Sequence, residues 1–507
     1  MSIKRIALIA AVLFAASTFA FGKLTLPSLF GDNTVLQRDA FVKIWGGSEP
    51  GREILIKAQW QSETIKTVCG DDGSWMVLVE TPSDKGPYDI SISDGADSLT
   101  LNNVLVGEVW LCSGQSNMAF GLRSCDTAET DIPKADYSEI RFFGVKRKLA
   151  DVPQQDCEGN WLVCKPDVAA WYSGVAYYFA RKVHLEEDVP IGIIQAAVGG
   201  TPADSWISRD VLLSDPQTVC SVERYDSLMK SYDTRYKDYQ DKLSKWEELK
   251  DNPQPKPRVP MGPEHFQRPY ALWNGMINPL LNYRIAGVLW YQGEGNSWRA
   301  DQYRKMFPML IESWRESFKQ GDFPFYYVQI APYDYGTPLI AAELREAQQE
   351  TLGLANTAMV CTMDIGDNKD IHPKNKKDVG ERLATIALNR VYHVMNRNDS
   401  GPMYAGKDIE DDSIRIYFDN ADSGLLLNEP AEYFEIAGYD GVYYKAVGEV
   451  DGNTLILRSD EVDNPVNVRY GWSNTAGADL FNKDGLPAYP FRTNNAVWVT
   501  KDKLTYF

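Results

Sequence analysis

The chain has 507 residues, which at roughly 150 residues per domain corresponds to about three domains. Hydrophobic residues make up 44% and charged residues 24%, enough to bury real cores and too apolar for a disordered chain. The formal net charge of −18 argues against a nucleic-acid backbone or an anionic membrane surface as partner.

Residues 1–22 carry Lys4 and Arg5, then the apolar run Ile6–Phe14, then small residues. The run is short of the ~20 apolar residues that span a bilayer. It reads as a secretory signal cleaved after Ala20 or Gly22, so a periplasmic or extracellular protein without membrane insertion is expected. No cysteine stands at the junction to carry a lipid. The seven cysteines (Cys69, Cys112, Cys125, Cys157, Cys164, Cys220 and Cys361) leave at least one thiol unpaired. Their spacing matches no zinc pattern, so no metal is expected. Nothing in the sequence bears on oligomeric state.

Residues 23–105 alternate as half-buried strands do. Ile54, Ile56, Ala58 and Trp60 are separated by Leu55, Lys57 and Gln59, and turn signals such as Asp71-Asp72-Gly73 recur. This predicts a small β-sandwich-like module. From 106 to about 400 the pattern changes. Short apolar runs at Glu108–Cys112, Ile191–Ala197, Ile285–Tyr291, Phe325–Ile330 and Ala358–Met363 are separated by helix-like segments such as Val168–His184, Gln302–Phe318 and Leu339–Leu354. Buried runs alternating with helices predict an α/β domain, a parallel sheet with helices on both faces. A charged, proline-rich stretch at about 223–260 interrupts it and reads as a surface insertion. Alternation returns in 401–507, a second β-sandwich-like module.

In such sheets ligands collect at the carboxyl ends of the strands. The first core run leads into Ser113-Gly114-Gln115-Ser116-Asn117-Met118, where a serine after a strand can open the next helix and present its N–H to a developing oxyanion. An N-capping serine would look the same. The second run ends in Gly199-Gly200-Thr201, and paired glycines let backbone approach a ligand closely. The third ends in Gln292-Gly293-Glu294-Gly295-Asn296, and the fifth leads to Asp370-Ile371-His372. Of the four histidines only His372 follows a core run, which marks it as the candidate general base.

Together, Gly114-Gln115-Ser116-Asn117-Met118, Gly199-Gly200-Thr201, Trp290-Tyr291-Gln292-Gly293-Glu294 and Asp370-Ile371-His372-Pro373 resemble the signature blocks of SGNH/GDSL hydrolases, closest to the sialate O-acetylesterase-like carbohydrate esterases. Leu272-Trp273-Asn274-Gly275-Met276, Leu344-Arg345-Glu346-Ala347-Gln348 and Gly485–Thr493 resemble that family too. The resemblance implies a three-layer α/β/α core with Ser116 as nucleophile and His372 as base, no cofactor, and an acetylated carbohydrate as substrate. It implies an oxyanion hole from the N–H of Ser116, that of Gly199 or Gly200, and an amide. Gly295 stands where the superfamily has asparagine, so Gln292 is the preferred amide and Asn296 the reserve. Lys369 stands where the superfamily has aspartate, so Asp370 is the candidate third member, with a Ser–His dyad as alternative.

Gln115, Asn117 and Glu294 are candidate substrate contacts. Trp206, Trp298 and Tyr333 are candidates to stack on sugar, and Arg345 or Arg299 to meet a sialate carboxylate. Sialate O-acetylesterase is the leading expectation. An acetylxylan or other polysaccharide acetylesterase and a non-catalytic carbohydrate-binding protein are the alternatives.

Overall fold

The computed structural model describes residues 22–248 and 254–504, so the expected signal segment lies outside the described residues except for Gly22. The centre of the chain is a seven-strand sheet. Its strands are β1 (Ser98–Gly114), β2 (Tyr137–Gly144), β3 (Trp161–Cys164), β4 (Ile191–Ala197), β5 (Gly287–Tyr291), β6 (Phe325–Val328) and β7 (Thr357–Val360). The order is β7-β6-β5-β1-β4-β2-β3. All neighbours are parallel except the edge pair β2–β3, which is antiparallel. The carboxyl ends of β4 and β5 lie level with Gly114 on either side of β1, through the pairs Ala197–Gly114 and Tyr291–Gly114. The chain therefore reverses its direction of sheet growth around β1, and a crevice opens there.

Burial on both faces explains the unbroken apolar runs. Along β1, Val109 and Leu111 join one apolar cluster and Trp110 and Cys112 another, all with 0% exposure. The second cluster takes Tyr177 and Phe179 from helix α1 (Gly174–Glu187) and Leu383 and Ile386 from helix α4 (Lys377–Arg390). The first takes Phe307 and Trp314 from helix α2 (Ala300–Phe318) and Leu344 from helix α3 (Ile340–Glu350). Each fully buried Val, Leu, Ile or Phe contributes about 1.5–3 kcal/mol, so both faces are firmly held. Helix α1 begins where the Ser173 side chain accepts from the Ala176 N–H and stops at Asp188, whose φ is 51°.

The sequence places a domain boundary at 105/106, where the structure shows no break between elements. β1 is one continuous 17-residue strand crossing that point. Its first part pairs antiparallel with Tyr88–Ser93, and its last part carries the parallel neighbours. Val42, Ile54 and Ile92 of the N-terminal strands belong to the same apolar cluster as Val109 and Trp314. The pattern changes because β1 passes from a half-exposed sheet into a fully buried one.

The C-terminal β-rich region has an apolar cluster of its own, built on Ile414, Ile416, Phe434, Leu455 and Tyr470. It grips α3: Arg492 pairs with Glu346, the N–H of Thr500 bonds Glu343, and Arg345 bonds the carbonyls of Ser473 and Asn474. In the expected insertion, helix Tyr232–Glu248 buries no residue, as a solvated face should. Among the described residues no helix is long and apolar enough to cross a membrane.

Candidate active site

β1 ends at Gly114, whose φ of +131° and position leave no room for a side chain: a Cβ there would lie 2.2 Å from the Tyr291 carbonyl oxygen. The Gln115 N–H bonds that same carbonyl at 3.0 Å, so the end of β1 is laid tightly against β5. Gln115 is extended, and Met118 and Ala119 bond back to its carbonyl to form a single helical turn, Ser116–Ala119. Ser116 thus projects from the first position of a turn in the crevice.

The loop after β7 brings His372 to it. His372 Nε2 lies 2.8 Å from Ser116 Oγ, within hydrogen-bond reach. Asp370 Oδ1 is 3.6 Å from His372 Nδ1, too long for a hydrogen bond, and accepts instead from the His372 backbone N–H at 2.9 Å. Asp370 therefore shapes the turn carrying His372 and acts on the ring through its charge. The Phe120 ring stacks on the imidazole with centroids 6.2 Å apart. Burial lowers the His372 pKa below its ordinary value; Asp370 opposes that and Lys376 reinforces it.

Beneath the pair lies a polar network. Lys376 Nζ donates to Asn117 Oδ1 at 2.6 Å, and Asn117 Nδ2 donates to Glu294 Oε1 and to the Ile371 carbonyl. Lys376 and Asn117 have 0% exposure, and burial pulls the lysine down to about 8. Burial likewise raises Glu294 above the usual carboxylate range. Lys376 also lies 5.0 Å over the Phe120 ring and 5.2 Å over that of Tyr291. Nothing in the sequence pattern singles out Lys376, a lysine just ahead of a charged helix start; only folding puts it under Asn117.

On the opposite side of Ser116, a Cβ on Gly199 would lie 3.3 Å from the Ser116 Cβ, so this backbone abuts the serine. Gly200 has φ +71°, and Gln267 Nε2 holds its carbonyl at 2.7 Å. The N–H groups of Ser116, Gly199 and Gly200 have no protein acceptor among the described residues. The two expected side-chain amides are corrected. Gln292 is wholly buried and its Nε2 bonds Asn296 Oδ1 at 2.8 Å and the Thr201 carbonyl at 3.3 Å. Asn296, equally buried, accepts the Ala203 N–H and directs its own Nδ2 towards Met306 Sδ. Both amides brace the loops instead. Gln115 behaves differently: its Oε1 accepts from the Gly295 N–H at 3.1 Å, and its Nε2 has no protein acceptor among the described residues.

The expected sugar contacts are also redistributed. Asn117 and Glu294 bond each other below the serine. Trp206 has 0% exposure and donates to Thr201 Oγ1, so it offers no stacking face. Arg345, also at 0%, bonds the carbonyls of Ile330, Ser473 and Asn474, and Arg299 pairs with Asp204 at 3.0 Å inside the core. Arg345 is thus spent on the protein's own carbonyls, whereas Arg299, though paired, also lines a cavity with Gln267 and Arg224. Trp298 and Tyr333 are half-buried.

A serine and a histidine in contact at the reversal point of a mostly parallel α/β sheet define a carboxylic ester hydrolase, and relatives narrow the class. The chain belongs to the carbohydrate esterase family described as sialic acid-specific acetylesterase, matched over residues 106–244 and 264–389. The unmatched gap, residues 245–263, overlaps the charged, proline-rich stretch. Rat sialate O-acetylesterase is 31% identical over 414 residues, covering 73% of this chain and 74% of that protein. The human sialate O-acetylesterase is 29% identical over 418 residues, 74% of this chain and 72% of that one. A carbohydrate acetylesterase from Xanthomonas citri superposes with a TM-score of 0.81 at 31% identity, over 94% of this chain and 100% of that one. This chain is a carbohydrate esterase of the SGNH, sialate O-acetylesterase-like kind.

Proposed function

We propose that the protein is exported and removes O-acetyl groups from sialic acids through an acetyl-serine intermediate. Ser116 Oγ attacks the acetyl carbonyl while His372 Nε2 takes its proton. The tetrahedral oxyanion accepts from the N–H of Ser116 and that of Gly199 or Gly200. Gln115 Nε2, rather than Gln292, is the third donor in this reading; such a donor is commonly worth about 3–4 kcal/mol of transition-state stabilisation. His372 returns the proton to the departing sugar oxygen. It then activates the water that releases acetate. Asp370 stabilises the transient imidazolium through its charge.

The observation that carries this reading is the 2.8 Å contact between Ser116 and His372 beside the glycine turn. Export rests on the charged and apolar pattern of residues 1–22. A neutral acetylated polysaccharide is the second reading, because Arg345 is turned into the protein and Arg299 is already paired with Asp204. The deciding assay measures acetate release from O-acetylated sialic acid and from acetylated xylan, for wild type and Ser116→Ala. Release from sialic acid alone, abolished in Ser116→Ala, is the expected result. Release from xylan alone replaces the substrate, and full activity in Ser116→Ala overturns the mechanism.

A further inference from the structure

Trp171 is 64% exposed, an unusual position for the largest apolar side chain. The guanidinium of Arg123 lies 3.4 Å from the centroid of its ring, so one face of the indole is covered by a cation and pinned. The backbone behind the pair is ordered by cross-links: the Arg123 N–H bonds the Ala170 carbonyl at 3.0 Å, the Leu122 N–H bonds that of Tyr172 at 2.9 Å, and Gly121 bridges Ser173. Arg123 makes no ion pair among the described residues, in a chain whose net charge is −18. Folding gains little from holding an indole and a guanidinium in water this way, so the arrangement points to a ligand.

Its place says which one. Gly121 follows Phe120, whose ring stacks on His372, and its bridge to Ser173 ties the segment that carries Trp171 to the one that packs on the base. We infer that Trp171 forms an outer subsite for the glycan that carries the acetylated sugar, the open face of the indole taking a neutral pyranose ring while Arg123 holds the other face. Sugar rings present C–H faces that pack on aromatic surfaces, and an indole pinned by a cation loses little freedom on binding. This inference rests on the carbohydrate reading of the active site and extends it from the acetylated residue to its neighbours.

The test compares wild type, Trp171→Ala, Trp171→Phe and Arg123→Ala on O-acetylated sialyllactose and on p-nitrophenyl acetate. The alanine variants should raise KM for the oligosaccharide about tenfold with kcat nearly unchanged, while Trp171→Phe retains most of the affinity. Hydrolysis of p-nitrophenyl acetate should be unaffected. An unchanged KM in Trp171→Ala, or a parallel loss on p-nitrophenyl acetate, overturns the subsite. Calorimetric titration of wild type and Trp171→Ala with unacetylated sialyllactose separates the two proposals. Trp171-dependent binding without acetate release from any sugar keeps the subsite and removes the esterase reading. Acetate release with Trp171-independent binding does the reverse.

Discussion

Lys376 Nζ donates to Asn117 Oδ1 at 2.6 Å, and through that one amide the helix turn bearing Ser116 is joined to the loop bearing His372. Asn117 bonds Lys376, Glu294 and the Ile371 carbonyl together, so three separate strand ends share a single side chain. Asn117→Ala should leave a buried ammonium and a buried carboxylate unmatched, each costing about 1–3 kcal/mol or more. The expected outcome is a lower melting temperature and a kcat on p-nitrophenyl acetate reduced by roughly 10- to 100-fold, with KM little changed. Unaltered kcat would show that the network does not position the pair.

His372 must be neutral to accept the serine proton, and its pKa lies below the ordinary value of about 6.5. Activity should therefore fall only as the pH drops below that range. Asp370 raises the imidazole pKa and Lys376 lowers it. Asp370→Asn should move the acid limb of kcat/KM to lower pH, and Lys376→Met should move it to higher pH. The limbs shifting in the same direction would remove the electrostatic account of both residues.

Gln115 and Gln292 separate by assay. Gln115→Ala should lower kcat by about 100- to 1,000-fold if its Nε2 meets the oxyanion. Gln292→Ala strips the partners of Thr201 and Asn296 and should appear first as lost stability in a thermal melt. Reversal of those two phenotypes would restore Gln292 as the donor.

At Gly199 a methyl group would stand 3.3 Å from the Ser116 Cβ, closer than carbon atoms ordinarily pack. Gly199→Val should lower kcat/KM on p-nitrophenyl acetate by at least about tenfold with the fold retained in circular dichroism. A fully active variant would place the oxyanion elsewhere.

Arg345 joins α3 to the C-terminal region through the Ser473 and Asn474 carbonyls, and Asn474 in turn holds the 333–341 segment at the Tyr333 and Ala341 N–H groups. Arg345→Met should destabilise the protein by about 2–3 kcal/mol in urea denaturation, because the buried Ile330 and Asn474 carbonyls and the part-buried Ser473 carbonyl lose a charged donor. Limited proteolysis should then cut near residue 473 faster than in wild type.

Much of this molecule is legible without coordinates. The unbroken apolar runs mark β1, β4, β5, β6 and β7 because both faces of the sheet are covered, and the helical periods between them predict α1 to α3. The glycines beside Ser116 and the lone histidine after a core strand mark the chemistry, since few residue types suit those positions. Pattern alone does not show that β1 runs unbroken across 105/106, because burial changes along the strand while the strand does not end. Nor does it foresee the partners that Trp206, Gln292, Asn296, Arg299 and Arg345 find inside the protein. Polar and aromatic residues near strand ends have the same composition whether they face a substrate or brace a loop, and only their hydrogen-bond partners distinguish the two. Lys376 and Asn117 meet across 259 positions of chain, a contact that no local rule can foresee. The residue types and their strand-end positions come from the sequence itself. Which way each side chain points, and therefore which of them face the crevice, was decided by tertiary packing, where each buried donor had to find an acceptor.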